Sequence, residues 1–261
     1  HAEIEALSRA GHNALSADLY VNLEPCCHFG RTPPCTEAII EAGIKRVFVG
    51  MKDPNKQVSG KGLRSLKKHG IIIVSDVLKA ECAKLNESFI KVMKTGMPFV
   101  VLKSAMSLDG KIATRSGDSR WISGKLARNH VHKIRNQVDA ILVGTETVLK
   151  DDPRLTCRLK TGSVKHPARI ILDRRNRIPL TAKVFKNSRS QKVVYVTGTD
   201  ISSRRIKTLV DKKVEILNGK LLKSGFDIKH LLKELASRDM NSILIEGGAN
   251  LNASVVKAGV V

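Results

Sequence analysis

The chain has 261 residues, 42% of them hydrophobic, and a formal net charge of +22 at pH 7. This length suits one large or two ordinary domains, and the hydrophobic share is enough to bury real cores. No apolar run approaches the roughly 18 residues that a membrane span needs, and no signal peptide is visible, so we expect no membrane partner. The five cysteines, an odd number, argue against a disulfide framework and for a reducing cytoplasm.

Helical and strand patterns alternate from the start of the chain. Apolar spacing and closing glycines indicate helices, whereas short runs of β-branched residues indicate strands. The predicted helices are 1–10, 36–42 and 62–69, and the predicted strands are 19–23, 46–50 and 71–74. Strands that alternate with helices favour a mostly parallel sheet with helices packed over it.

A second alternation begins after a predicted long helix at 80–94. Thr95-Gly96-Met97-Pro98 is the clearest boundary signal in the sequence, so we expect one domain over 1–96 and another over 97–261. The second domain is also predicted to be α/β. Its predicted strands are 99–105, 140–144, 169–173, 193–197 and 243–246, and its predicted helices are 124–136, 202–211, 228–237 and 251–257.

The most specific motif joins the first three residues to two later Pro-Cys pairs. His1 with Glu3 two positions later, then Cys26 and Cys35, is the ligand pattern of a zinc deaminase. One imidazole and two thiolates would hold Zn²⁺ and leave the fourth tetrahedral position for water. Glu3 would not be a ligand but would carry protons from that water to the leaving amine. The spacing is unusual, because eight residues rather than two separate the ligand cysteines.

This motif resembles the deaminase half of the bifunctional riboflavin-biosynthesis deaminase/reductase family, in which the segment between the thiolates reads close to HFGRTPP. Residues 98–111, 119–123, 151–156 and 246–251 look like that family's reductase landmarks, in the same order. The resemblance implies a cytidine-deaminase-like zinc domain followed by a dihydrofolate-reductase-like NADPH domain. Because the chain starts at His rather than Met, we expect both domains to be incomplete at the chain ends.

The family resemblance also implies two consecutive reactions. The first is hydrolytic deamination of 2,5-diamino-6-(5-phosphoribosylamino)pyrimidin-4-one, and the second is NADPH-dependent reduction of its ribosyl group to a ribityl chain. His28, Arg31 and Thr32 lie in the loop between the zinc ligands and are candidates for substrate contact. The candidate proton donors of the reductase are the ionisable residues Lys103, Asp151 and Glu246. The resemblance also implies a homodimer, which is the usual assembly in this family.

The nicotinamide site would not be predicted from motif rules, since no Gly-x-Gly-x-x-Gly follows a strand. Gly247 and Gly248 do separate a strand from a helix, and such a turn directs free N–H groups at a phosphate. The cofactor residues that the resemblance implies are Ala105, Trp121, Thr147, Asp151, Gly248, Ala249, Asn250, Leu251, Asn252, Ala253 and Ser254. The substrate residues that it implies are Ser119, Arg135, Leu155, Arg158 and Glu246.

Several of these residues have simpler interpretations when each is taken alone. Trp121 is then a core residue, Arg135 and Arg158 are solvated, and Asp151 belongs to a helix stop. Arg174 and Arg175 are candidates for contact with the 2′-phosphate of NADPH, although nothing in the sequence decides between them. They complete the set of candidate cofactor contacts.

The positive charge leaves two rival functions open. Residues 1–95 carry 14 Lys and Arg against 10 Asp and Glu, net +4, whereas 96–261 carry 32 against 14, net +18. A nucleic-acid base deaminase with an accessory basic domain would use this charge, as would a zinc-stabilised RNA-binding protein without catalysis. Against both, only 3% of residues are aromatic, which leaves few platforms for base stacking. We therefore expect small-molecule substrates and no nucleic acid.

Overall fold

The computed structural model describes residues 1–30, 32–55, 58–159 and 162–261. Two compact units divide the chain, His1–Thr95 and Gly96–Val261. The division falls within the Thr95–Pro98 boundary signal, one residue before the boundary expected from the sequence. Among the described residues, no helix is both long and apolar enough to cross a membrane.

The first unit is a parallel sheet with helices packed on its buried face. Its strands are β1 (Asp18–Val21), β2 (Arg46–Val49) and β3 (Ile72–Ser75), paired in the order β1-β2-β3. Leu66, Ile39 and Val47 are fully buried in its core. Its helices are α1 (Ala2–Ala10), α2 (Cys35–Glu41), α3 (Lys61–Lys68), α4 (Lys79–Leu85) and α5 (Glu87–Thr95), with a 3₁₀ helix at Gly11–Ala14.

The single long helix predicted for 80–94 is wrong, because the structure interrupts it at Asn86. The Asn86 side-chain amide donates a hydrogen bond of 2.9 Å to the backbone oxygen of Cys82. Asparagine side chains compete for backbone partners in this way, which weakens a helix interior. Helix α4 therefore ends at Leu85 and α5 begins at Glu87.

The second unit is built on a larger parallel sheet in the order β4-β11-β5-β6-β7-β8. The pairing of these strands is parallel throughout. The strands are β4 (Phe99–Leu102), β5 (Ala140–Gly144), β6 (Ala168–Asp173), β7 (Val193–Thr197), β8 (Glu215–Asn218) and β11 (Ser242–Ile245). Together with the first unit, this architecture confirms the α/β prediction.

Helices cover both faces of this sheet. Alternate residues of one strand enter opposite clusters, so that Leu142 lies with Leu232 on one face and Ile141 with Leu209 on the other. The helices are α6 (Lys125–Gln137), α7 (Thr145–Asp151), α8 (Ser203–Asp211), α9 (Ile228–Ala236) and α10 (Ala249–Lys257), with a 3₁₀ helix at Lys183–Phe185.

Besides the 3₁₀ helix at Lys183–Phe185, three features of the second unit were not predicted from the sequence. Helix α7 starts directly after β5 without a loop, and only Val148 of its residues is buried, so its apolar pattern is weak. Strand β8 is a short edge strand with polar residues at both ends. The third is a small antiparallel hairpin of β9 (Leu221–Leu222) and β10 (Gly225–Phe226).

Parallel pairing brings the carboxyl ends of the strands to one edge of the sheet. Lys103 follows β4 and Glu246 follows β11, while α7 begins where β5 ends. In open α/β sheets this edge is where ligands bind, at the point where strand order reverses. Here β11 is inserted between β4 and β5, which favours a second site around its end.

Candidate active sites

Three elements bring the predicted zinc ligands together in the first unit. His1 precedes the first residue of α1, Cys26 lies in the loop after β1, and Cys35 is the first residue of α2. The backbone N–H of Cys35 donates to the sulfur of Cys26 across 3.2 Å. In the same direction, the N–H of Thr36 donates to the Cys26 backbone oxygen across 3.1 Å. These two hydrogen bonds close the long segment between the cysteines.

The three ligand atoms are spaced as a tetrahedral metal requires. The Nδ1 atom of His1 lies 3.0 Å from the sulfur of Cys35 and 3.5 Å from that of Cys26, and all three atoms fall within 4.8 Å of one another. Zn–S bonds of about 2.3 Å and Zn–N bonds of about 2.0 Å at tetrahedral angles put nitrogen and sulfur about 3.6 Å apart. The donor set therefore fits Zn²⁺. Thr32 Oγ1 lies 3.4 Å from the other ring nitrogen of His1, a contact that orients the ring.

Glu3 lies beside this cluster, on the first turn of α1. Its carboxylate lies close enough to the Cys35 thiol to act on the pKa of that thiol. Burial, the Glu3 charge and the neighbouring Cys26 together raise the pKa of Cys35 far above that of an ordinary thiol. A metal cation would reverse this balance, because a coordinating thiol is deprotonated. The first unit therefore combines three ligands and one adjacent carboxylate that can exchange a proton.

Glu24 supports the Cys26 loop and was not predicted from the sequence. The side chain is 2% exposed, and its carboxylate accepts hydrogen bonds from the backbone N–H groups of Gly60, Asp53 and Leu63 at 2.8, 3.2 and 3.3 Å. Gly60 and Leu63 form the start of α3, so the carboxylate ties the Cys26 loop to that helix. Its place directly after the predicted strand 19–23 was the available signal, because a carboxylate that becomes buried must find donors.

In the second unit, Lys103 and Glu246 meet at neighbouring strand ends. The Lys103 backbone N–H donates to Ile245 across 3.0 Å, and its ammonium lies 3.6 Å from Glu246 Oε2. Arg135 reaches over from α6 and donates two hydrogen bonds to the same carboxylate, at 2.6 and 2.9 Å. A third bond of 2.9 Å joins Arg135 to the backbone oxygen of Thr156. Glu246 is only 9% exposed, so this is a largely buried ionic group.

The charge of Glu246 is maintained by its neighbours. Burial alone would raise the pKa of this carboxyl, but Arg135 and Lys103 outweigh burial and hold the pKa below its usual value of 4.5. Nearby, burial together with Arg135 and Arg158 lowers the pKa of His132 below its usual 6.5. His132 was not singled out from the sequence. Its Nδ1 atom accepts a hydrogen bond of 3.3 Å from the Arg158 backbone N–H.

The turn between β11 and α10 leaves little room for a side chain at its first residue, Gly247. A Cβ atom on Gly247 would lie 2.8 Å from two side-chain carbons of Leu251 and 2.9 Å from Asn252 Oδ1. That Oδ1 atom is buried and has no hydrogen-bond partner among the described residues. Gly248 caps the nine-residue helix α10, and Thr147 Oγ1 lies in contact range of it. A free helix N-terminus fits the phosphate region of a dinucleotide.

Comparison with known proteins agrees with both sites. Residues 1–51 match the family described as the cytidine and deoxycytidylate deaminase zinc-binding region, and residues 98–261 match the RibD C-terminal domain. RibD of Aquifex aeolicus is 44% identical over 259 residues, which cover 99% of this chain and 70% of the relative. The chain belongs to the RibD family. The RibD resemblance therefore holds along the whole chain, not only at the motifs.

Two solved RibD structures have the same fold. Acinetobacter baumannii RibD is 41% identical with a TM-score of 0.87, and the match covers 100% of this chain and 71% of that one. The Thermotoga maritima protein is named a diaminohydroxyphosphoribosylaminopyrimidine deaminase/5-amino-6-(5-phosphoribosylamino)uracil reductase. It is 41% identical with a TM-score of 0.81, over 97% of this chain and 68% of its own.

In this RibD chain, the other residues of the loop between the zinc ligands differ in exposure and in their contacts. His28 is exposed in the ligand loop and Thr32 contacts His1, whereas Arg31 lies outside the described residues. Cys27 is half-buried and is not part of the metal cluster. Burial and the charge of Glu24 raise the pKa of Cys27.

Two of the predicted reductase residues, Trp121 and Arg135, do not have the surroundings that their simpler interpretations give them. Trp121 is 73% exposed, with the Arg128 guanidinium 4.2 Å from its ring centre, so the core interpretation is wrong. Arg135 is paired rather than solvated, as shown by its bonds to Glu246, and Arg158 is exposed. Leu155 is 3% exposed and belongs to the core, and its contact with the substrate stays a prediction.

The remaining predicted residues lie along the same edge or near it. Asp151 is exposed at the end of α7, where its backbone oxygen accepts from Arg120 across 3.3 Å. Within the described residues, no hydrogen bond or ion pair joins it to Lys103 or Glu246. Ala105 and Ser119 are half-buried in loops; Ala249, Asn250, Ala253 and Ser254 line the exposed side of α10, and Leu251 packs into the core.

Proposed function

We propose that this chain carries out two steps of riboflavin synthesis. The first is zinc-dependent hydrolytic deamination of 2,5-diamino-6-(5-phosphoribosylamino)pyrimidin-4-one, and the second is NADPH-dependent reduction of the ribosyl group to a ribityl chain. The activities named for the Thermotoga maritima protein support both steps. The observation that carries the proposal is the convergence of His1, Cys26 and Cys35 within 4.8 Å, with Glu3 beside them.

In the deaminase unit, His1, Cys26 and Cys35 would hold the metal. When bound, Zn²⁺ supplies a water whose pKa is lowered to about 7. Glu3 is the group that takes up a proton at its carboxylate and delivers it to the departing amine, as a general acid and base. His28, Arg31 and Thr32 are proposed to contact the substrate, because they belong to the loop that surrounds the ligands.

In the reductase unit, the residues bind, orient and supply one proton. NADPH supplies the hydride when bound. Arg158 and Ser119 are proposed to hold the ribose phosphate, since a guanidinium group binds phosphate oxygens two at a time. Arg135 is proposed to contribute its positive charge beside them while it stays bound to Glu246. Lys103 is the candidate proton donor that the geometry favours, because its ammonium lies beside Glu246 at the strand ends. Asp151 is the weaker candidate, because it is exposed at the end of α7.

Further parts of the proposal concern partners and location. We propose that the chain acts on small molecules and does not bind nucleic acid, in a homodimer. We also propose a cytoplasmic location, because all five cysteines are free thiols and such thiols persist in reducing compartments. Size-exclusion chromatography with light scattering tests the dimer, and salt-dependent retention of labelled RNA tests the exclusion of nucleic acid.

The role of Glu3 is tested by the substitution Glu3→Gln. We expect the variant to keep its zinc and its fold but to lose at least about a hundredfold in deamination rate, the scale of general acid–base catalysis. Ammonia release and zinc content per chain are the two measurements. Glu5→Gln is the matched control, since Glu5 lies on the same helix and forms an exposed ion pair with Arg9. Deamination at near wild-type rate in Glu3→Gln would refute the proton-transfer role.

The reductase activity is tested by the loss of NADPH absorbance on addition of the deaminated substrate. The proposal predicts oxidation of NADPH by the wild type in proportion to the substrate added. If NADPH is never consumed while RNA is retained in a salt-sensitive way, a nucleic-acid-binding function replaces the one proposed.

A further inference from the structure

Helix α6 carries a half-buried histidine, His132, one turn before Arg135 and on the same side of the helix. The segment 156–158, which ends at Arg158, lies against this side. We infer that His132 is a positioning residue of the reductase site, whose neutral ring holds the segment 156–158 so that Arg158 is in place for the substrate phosphate. The inference rests on the proposed reductase function and adds to it the residue through which Arg158 is oriented.

Contacts with α6 hold all three residues of the segment. The backbone N–H of Arg158 donates to Nδ1 of the His132 ring across 3.3 Å. The buried thiol of Cys157 donates to the backbone oxygen of His132 across 3.2 Å. One turn further along the helix, Arg135 donates to the backbone oxygen of Thr156 across 2.9 Å. The segment is therefore fixed to the helix that also carries the partner of Glu246.

The segment 156–158 depends on these contacts because it has no regular structure of its own. Residues 152–159 belong to no helix or strand. Between described residues, the backbone groups of 156–158 make no hydrogen bond with another backbone group. Backbone donors and acceptors that are not paired in this way need side-chain or water partners. For the N–H of Arg158, the described partner is the ring of His132.

This geometry sets the protonation state of the His132 ring. A ring nitrogen accepts from an N–H group only when it carries no proton, so the contact requires the neutral ring with its proton on Nε2. The surroundings favour that form. Burial, together with the charges of Arg135 and Arg158, lowers the pKa of His132 below its usual 6.5, against the smaller opposing effect of Glu246. At neutral pH the ring is therefore an acceptor for the Arg158 N–H.

Arg158 is the residue on which the position of the segment acts. Its side chain is exposed, and it forms no ion pair with any residue that the structure describes. When its backbone is already fixed, only the side chain has to be ordered on phosphate binding, which lowers the entropic cost of binding. The phosphate does not react, so this gain applies equally to the bound substrate and to the transition state. It therefore lowers KM and leaves kcat unchanged.

The test is a double-mutant cycle of His132 and Arg158, with NADPH oxidation by the intact chain and the deaminated substrate as the readout. His132→Leu removes the acceptor but keeps an apolar side chain of similar size. We expect KM for the substrate to rise about three- to tenfold, the scale of one lost hydrogen bond, with kcat within about twofold. In the Arg158→Ala background the same substitution should change KM by less than about twofold, because His132 acts through Arg158.

Conservative variants separate the acceptor from the bulk of the ring. In His132→Asn the amide oxygen takes the place of Nδ1, so KM should return to within about twofold of the wild type. In His132→Gln the amide lies one bond further out, and KM should rise as it does with leucine. If His132→Leu does not fold, these two polar variants decide the question. His130→Leu is the matched control, since His130 is exposed on the same helix two positions earlier, and it should alter neither constant.

The dissociation constant of NADPH, measured by nicotinamide fluorescence, should be the same in every variant, which shows that the fold is intact. An unchanged KM in folded His132→Leu, or an equal rise of KM with and without Arg158, would overturn this inference and leave the reductase function in place. So would an unchanged KM in Arg158→Ala, since His132 would then have no phosphate contact to position. If the wild type oxidises no NADPH, the reductase function fails, and this inference with it.

Discussion

Glu246 is the residue on which the charge balance of the reductase site depends. Arg135 is 11% exposed and binds the carboxylate with two hydrogen bonds, while Lys103 approaches from the next strand. A cation held in such a buried position needs its partner, because the loss of water around it is not otherwise compensated. The same carboxylate thus fixes the side chains that would face the substrate.

The substitution Glu246→Gln should therefore destabilise the second unit. We expect a fall of about 3 kcal/mol in the free energy of unfolding at pH 7, the scale for breaking a buried ion pair. Glu146→Gln is the control, because Glu146 forms an exposed pair with Arg177 and should cost about 1 kcal/mol or less. Urea unfolding of both variants provides the comparison, and equal losses would contradict the buried pairing.

The same pair predicts a pH dependence with a definite sign. Because the pKa of Glu246 is lowered in the folded chain, its stabilisation is complete above the unfolded value of about 4.5 and is lost as pH falls through the lowered folded value. The difference in unfolding free energy between the wild type and Glu246→Gln should stay constant from pH 7 to 6 and shrink below pH 4.5. A difference that grows on acidification would contradict the assignment.

Site residues differ in how far the sequence could predict them. The zinc ligands were predictable because the chemistry fixes both the residue types and their order. The motif that contains His1 can therefore be recognised without knowing the fold. The partners of Glu246 were not, since Arg135 lies 111 positions away and only sheet order brings the two together. Glu24 was missed for the same reason, as its donors belong to α3, 36 and 39 positions later.

At the scale of elements, the β11–α10 turn decides whether a dinucleotide can approach the sheet. Because a Cβ on Gly247 would overlap Leu251, Gly247→Ala should lower the free energy of unfolding by about 1 to 3 kcal/mol and weaken NADPH binding. Gly124→Ala is the control, because no heavy atom lies within 4 Å of the added group. Urea unfolding and NADPH fluorescence test both effects, and an unaltered Gly247→Ala protein would refute the close packing of the turn.

The long, strongly patterned elements were predicted well and the short ones were not. Strands such as β6 and β7 are buried runs of β-branched residues, a pattern that tertiary context does not override. Helix α7 and strand β8 depend on their neighbours, because few of their residues are buried. The break at Asn86 depends on one side-chain hydrogen bond, which competes with the helical pattern around it.

For the whole molecule, part of the positive charge lies where the proposed function places phosphate groups. The second unit carries most of the net positive charge of +22, and part of it surrounds the proposed phosphate positions at the carboxyl edge of the sheet. Arg135 and Arg158 lie near Glu246, and Arg175, a candidate for contact with the 2′-phosphate of NADPH, is exposed just after β6. Phosphorylated small molecules therefore account for the basic residues that the structure places at sites.

The central claim is that His1, Cys26 and Cys35 form one zinc site, and metal content tests it most directly. The wild type, purified without added chelator, is expected to contain one zinc ion per chain by atomic emission. Cys35→Ser should contain almost none, whereas Cys82→Ser, the same change outside the cluster, should retain it. Equal zinc in all three proteins, or none in the wild type after supply of Zn²⁺, would contradict the account.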